Sequence, residues 1–175
     1  MDILKQFNIP FVGLKNGVHV FDFEVDHRFF AQFEDSYIKE AQVSVKLNFD
    51  KKDLFFKLDF SIDGKVRVPC DRCMEEFDVE IFNDFAMFVK FEERESKIGD
   101  EDNVIYLSKN DSHIDISQVV YDFILLSVPM QNIHPNGANG EPTCNPEVMK
   151  KLKGEEKITE AVDPRWEALN KLKKN

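Results

Sequence analysis

The sequence lacks most of what would mark an exported, membrane-bound or catalytic chain. Its first residues, Met1-Asp2-Ile3-Leu4-Lys5-Gln6, have no basic segment leading into an apolar run, so no export signal is read there. No stretch approaches the ~18 consecutive apolar residues that a membrane-spanning helix needs. Together these absences lead us to expect a cytoplasmic protein with no membrane partner. Cysteine is scarce: three residues, an odd number, which argues for thiols or thiolate ligands and against a disulfide framework. An excess of positive charge is also missing. The formal net charge of −10 repels a phosphate backbone at long range, so any nucleic-acid contact must use a local basic patch or pass through a protein partner. There is no P-loop, no G-x-G-x-x-G and no H-E-x-x-H, and no serine and histidine form a nucleophile pattern. No catalytic residue and no small-molecule substrate is expected.

What is present is a globular composition of 175 residues, 42% hydrophobic and 32% charged, with 17 phenylalanines. That is enough to bury one core in one domain. Residues 1–16 have no clean period and are broken by Pro10 and Gly13, which reads as an edge segment. Phe21, Phe23 and Val25 alternate with Asp22, Glu24 and Asp26, as in a half-buried strand. The stretch from His27 to Ser36 loses that alternation and reads as a short helix or turn. Ala41, Val43, Val45, Leu47 and Phe49 then alternate with polar residues, and the pattern resumes as Leu54, Phe56, Leu58, Phe60 and Ile62, which is a hairpin. Asp63-Gly64 predicts a second tight turn, with Lys65 to Val68 folding back as a separate strand. Further strands are expected over Phe77 to about Phe91 and over Val104 to Leu107, on either side of an acidic solvated loop from Glu92 to Asn103. Ile116, Val119, Val120, Phe123 and Ile124 recur at helical spacing after Asp115, an N-cap candidate, and end before Pro129. The predicted class is α+β: a mainly antiparallel β meander with helix 116–127 packed on it, in a domain over 1–146. A loop-rich, partly helical basic tail over 147–175 completes the chain.

The chemistry concentrates between two predicted strands. In Val66-Arg67-Val68-Pro69-Cys70-Asp71-Arg72-Cys73-Met74, the pair Cys70 and Cys73 has metal-ligand spacing, and Pro69 closes the preceding strand. A structural zinc site needs four ligands, so this pair supplies half. The Pro/Gly/Asn-rich loop after the helix offers His134 and Cys144, and such a loop can bend both to one point. Two readings are open: a structural Cys3His zinc site of Cys70, Cys73, His134 and Cys144, or two free thiols in a hairpin. A redox dithiol fits less well, because such pairs sit at helix N-termini and this one lies between strands. His19, His27 and His113 lie in or beside strand patterns and read as surface or hydrogen-bonded histidines, not as ligands.

The tail carries eight basic and five acidic residues over 150–175, a local charge of +3 on an acidic chain. Trp166, Leu169 and Leu172 recur every three residues, so they can form one stripe of a short helix, with Arg165, Lys171 and Lys173 around it. That stripe can meet a partner or dock on the protein's own sheet.

The cysteine knuckle, the helix ending in Leu125-Leu126-Ser127-Val128-Pro129-Met130, the His/Cys loop and the ending Asp163-Pro164-Arg165-Trp166-Glu167-Ala168-Leu169 together resemble the bacterial YceD family, from about residue 41 to the end. Many of its members carry a second cysteine cluster after that proline; here His134 and Cys144 stand in the region, with nine residues between them. The resemblance implies a non-catalytic role in accumulation of large-subunit ribosomal RNA, with precursor RNA or a ribosomal protein as partner. It directs attention to Arg165, Trp166, Leu169, Lys171 and Leu172 as partner-binding residues. The alternative is a zinc-dependent enzyme, which would need an open coordination position and a general base.

Overall fold

The structure, a computed structural model, describes residues 3–92 and 103–155. The chain divides into two compact units: Met1–Val68 with Phe77–Gln131, and Pro69–Glu76 with Asn132–Asn175.

The first unit is built on strands whose alternation is visible in the sequence. Its main sheet has the order β2-β3-β4-β5-β6, comprising β2 (Gly17–Asp26), β3 (Glu40–Lys51), β4 (Phe55–Pro69), β5 (Glu76–Glu92) and β6 (Val104–Ser108). A smaller sheet pairs β1 (Asn8–Pro10) with β7 (His113–Asp115), antiparallel. In the middle of the main sheet Val45 stands opposite Phe23 on one side and Ile62 on the other. Every second residue from Val43 to Phe49 and from Phe56 to Ile62 is buried, as one core-facing side of a pleated sheet requires.

Helix α1 (His27–Phe30) follows β2, and Asp26 caps it by accepting from the Arg28 backbone N–H at 2.9 Å. It buries Phe29 and Phe30, and Phe29 packs on Phe7 with ring centroids 4.8 Å apart. Helix α2 (Ser117–Ser127) lies within the expected span, and the Asp115 carboxylate accepts from the Ser117 N–H at 2.8 Å. Its buried residues Val119, Val120, Phe123 and Ile124 form one face. Phe123 meets the rings of Phe60 at 5.2 Å and Phe85 at 4.2 Å, which fixes the helix against the sheet.

Three sequence expectations need correction. Asp63-Gly64 is not a turn: β4 runs straight through it, with Ser44 opposite Asp63 and Val43 opposite Gly64. Gly64, at φ +157°, lies so close to β3 that an added Cβ would come within 2.6 Å of the Val43 Cα. The glycine serves close strand approach, not chain reversal. Next, β6 pairs parallel to β5, with Val89 opposite Ile105, so the sheet is mixed. Finally, β7 was not anticipated, since it carries one buried apolar residue, Ile114, and three residues show no period. Most of the acidic loop expected from Glu92 to Asn103 lies outside the described residues.

Candidate metal centre

Among its described residues, the second unit is held by polar contacts, and its buried apolar side chains are Cys70, Cys73 and Cys144. Its first segment, Pro69–Glu76, links β4 to β5 as a tight knuckle. The Cys70 N–H donates to the Glu75 carbonyl at 2.9 Å, and the Met74 N–H donates to the Cys70 carbonyl at 2.9 Å. Met74 takes a left-handed conformation, φ +62°, that curls the chain so both thiols face inward.

The second segment folds back on itself. Asn136 and Pro142 form an isolated antiparallel bridge, the Gly137 N–H donates to the Glu141 carbonyl at 2.8 Å, and Gly140 supplies the φ of +78° at the bend. The Thr143 hydroxyl donates to the Pro135 carbonyl at 2.6 Å. His134 and Cys144 therefore stand at the two feet of a small loop, which explains how residues ten apart in sequence meet. Helix α3 (Pro146–Glu155) begins just beyond, capped by Asn145, whose side-chain oxygen accepts from the Glu147 N–H at 3.0 Å.

Two straps join loop to knuckle. Asp71 and Asn132 exchange a pair of bonds: the Asp71 N–H donates to the Asn132 carbonyl at 2.7 Å, and the Asn132 N–H donates to the Asp71 carboxylate at 2.6 Å. The Asn145 amide donates to the Glu75 carboxylate at 2.7 Å. Neither pair was singled out from the sequence, because partners 61 and 70 positions apart leave no local signal. Asn145-Pro146 carries a local helix-start signal, a capping residue followed by proline, which the sequence reading above assigns to the loop.

These constraints bring Cys70, Cys73, His134 and Cys144 together, with their ligand atoms all within 4.8 Å of one another. The Cys70 and Cys144 Sγ atoms are 3.8 Å apart, and Cys73 Sγ is 3.5 Å from His134 Nδ1. A tetrahedral zinc with Zn–S of ~2.3 Å and Zn–N of ~2.05 Å requires about 3.8 Å between two sulfurs and about 3.6 Å between sulfur and nitrogen. These two separations match, and the whole set lies within 4.8 Å. A disulfide is excluded at 3.8 Å, since S–S bonds are about 2.05 Å. All three cysteines are buried and free, and His134 is half-buried.

The electrostatics suit a cation. Burial pushes the Cys70 thiol up, but the backbone N–H groups of His134, Arg72 and Cys73 and the His134 side chain together lower it to about 6. The Cys144 thiol is raised by burial and by its neighbours Cys70 and Cys73. Crowded buried sulfurs whose charges oppose one another are what a divalent cation relieves.

The comparison with known families concerns this same stretch of chain. A family model described as the large ribosomal RNA subunit accumulation protein YceD matches residues 58–173, about two thirds of the sequence. The chain belongs to this family. The match begins inside β4, later than the residue 41 expected from sequence, and it includes Cys70, Cys73, His134 and Cys144. The family's description names RNA accumulation and no reaction. No curated protein and no solved structure matches the chain. The tail residues Arg165, Trp166, Leu169, Lys171 and Leu172 fall within the family match but outside the described residues. Among the described residues, no helix is long and apolar enough to cross a membrane.

Proposed function

We propose that this chain is a non-catalytic ribosome-biogenesis factor of the cytoplasm, supporting accumulation of large-subunit ribosomal RNA by binding its precursor or a ribosomal protein. Cys70, Cys73, His134 and Cys144 hold a structural zinc in this reading. The observation that carries it is the convergence of four candidate ligand atoms within 4.8 Å of one another, with the Cys70–Cys144 and Cys73–His134 separations at tetrahedral values, inside the family match. Zinc supplies a four-point cross-link here; with all positions taken by protein, none is left for a substrate or an activated water. The zinc-enzyme alternative lacks that open position.

The metal staples the loop to the knuckle, which matters in a segment with few buried apolar side chains to hold it. Helix α3 then emerges from a fixed point and leads into the basic tail. On this proposal the tail over 147–175 makes the partner contact, through the Trp166, Leu169, Leu172 stripe and the neighbouring Arg165 and Lys171. The local +3 on a −10 chain supports it, because favourable electrostatics toward RNA are strongest there.

Co-sedimentation of the tagged protein with large-subunit precursors tests the role. Truncation before Asp163 tests the tail: loss of co-sedimentation with unchanged melting supports a partner-binding tail, and a large fall in melting temperature marks it as structural. A full-length protein that never co-sediments, and whose loss leaves large-subunit RNA unchanged, refutes the assignment.

A further inference from the structure

Strand β2 is an outer edge of the main sheet and is ten residues long, so its free side extends over about 33 Å. In an antiparallel pair every second residue turns its N–H and C=O away from the neighbour. Among the described residues, no backbone hydrogen bond outside the β2–β3 ladder uses a group from Gly17 to Val25. Edge strands usually carry protection against further pairing: a proline, charged side chains and lysine above all, a bulge or short length. This one is long and has no proline, lysine or bulge; its charged residues, Asp22, Glu24 and Asp26, are all acidic and so guard against anionic strands and not against basic ones. Its sequence GVHVFDFEVD contains no proline, lysine or arginine. Its register with β3 is unbroken from Gly17 opposite Lys51 to Asp26 opposite Gln42. The opposite edge strand, β6, is only five residues long.

The side chains on the solvent face of β2 state what would fit. Val18 and Val20 are 64% and 55% exposed, and Asp22 and Glu24 follow on the same face, exposed and in no ion pair among the described residues. Two acids on a chain of net charge −10 disfavour a second copy and favour a cationic strand. We infer that the free edge of β2 receives an extended segment of a basic protein, which joins the sheet as an added strand. Its β-branched residues would stand opposite Val18 and Val20, and its Lys or Arg residues opposite Asp22 and Glu24. This deepens the proposed role by selecting a protein over RNA at this surface.

The test uses the full chain and a synthetic extended peptide with two lysines and then two valines at alternate positions, separated by threonines. A second peptide has glutamate in place of lysine. The lysine peptide is expected to slow amide exchange at alternate residues of β2. The double variant Asp22→Lys with Glu24→Lys is expected to bind it about tenfold more weakly and to prefer the glutamate peptide, a swap that also shows the variant is folded. Three results overturn the inference: outward β2 amides already protected in the free protein, which means its own chain or a second copy covers the edge; peptide binding that leaves β2 exchange unchanged; or equal binding of both peptides by the wild type. If the peptide test fails while the wild type still co-sediments with precursors, the edge inference falls alone. If β2 pairs with the peptide but co-sedimentation is absent, the biogenesis role falls and the edge site stands.

Discussion

Replacing Gly64 by alanine separates a continuous β4 from a hairpin at Asp63-Gly64. The new Cβ would meet the Gln42 carbonyl oxygen and lie 2.6 Å from the Val43 Cα, both backbone atoms of β3. Ordinary carbon–oxygen contacts between strands are at about 3.3–3.6 Å, so β3 and β4 must separate locally by roughly 1 Å. No rotamer change relieves a clash with backbone, and φ of +157° adds strain for any L side chain. Weakening two ladder hydrogen bonds at about 1 kcal/mol each, together with overpacking at about 1–3 kcal/mol, gives a loss of about 3–5 kcal/mol. For a chain of this size that lowers Tm by about 6–20 °C. The paired control is Asp63→Ala, an exposed strand position expected to change stability by less than about 0.5 kcal/mol. Thermal unfolding followed by circular dichroism reads both. A Gly64→Ala variant as stable as the parent, or an Asp63→Ala variant as damaged as it, refutes the continuous strand.

Other perturbations have defined outcomes. Leu58→Asp puts a charge at a fully buried position opposite Phe49 and is expected to destabilise by about 3–5 kcal/mol in denaturant unfolding, with a soluble, equally stable variant contradicting the register. Asp71→Ala removes the acceptor that holds Asn132, two residues before His134, so zinc affinity by chelator competition should fall about tenfold without loss of the sheet. Protons compete with zinc for the same thiolates: at pH 7 uptake displaces the proton of the raised Cys144 thiol, and below about 6 that of Cys70 as well. Zinc affinity should therefore weaken as pH falls and weaken more steeply below about 6; affinity flat from pH 8 to 5 would contradict a thiolate site.

Much of this was legible in the residues, for physical reasons. Alternation in β2, β3 and β5 and the 3–4 spacing of Val119, Val120, Phe123 and Ile124 report burial directly, because one face of each element must be apolar. The same rule decides the path of the chain at Asp63-Gly64. A two-residue turn there would place Ile62 and Lys65 on one face and send Val66 and Val68 to the other, whereas a straight strand keeps Ile62, Val66 and Val68 together in the core. In the folded chain, parity outweighs the local turn chemistry of Asp63-Gly64. The parallel pairing of β6 leaves no trace in a five-residue apolar run, since pairing direction depends on where the preceding connection runs. At the candidate metal centre, residue types and the C-x-x-C spacing pointed to the four residues that the structure brings within 4.8 Å of one another. The straps that set their distances, Asp71 with Asn132 and Glu75 with Asn145, are long-range polar pairs that no periodicity encodes.

Zinc stoichiometry measured on full-length protein purified without chelators bears most directly on the four-ligand centre. One zinc per chain is expected, reduced to substoichiometric levels in Cys144→Ser and in His134→Ala, with the β-sheet circular dichroism signal retained. Metal-free protein with all three thiols open to alkylation, or full zinc in both variants, would contradict it.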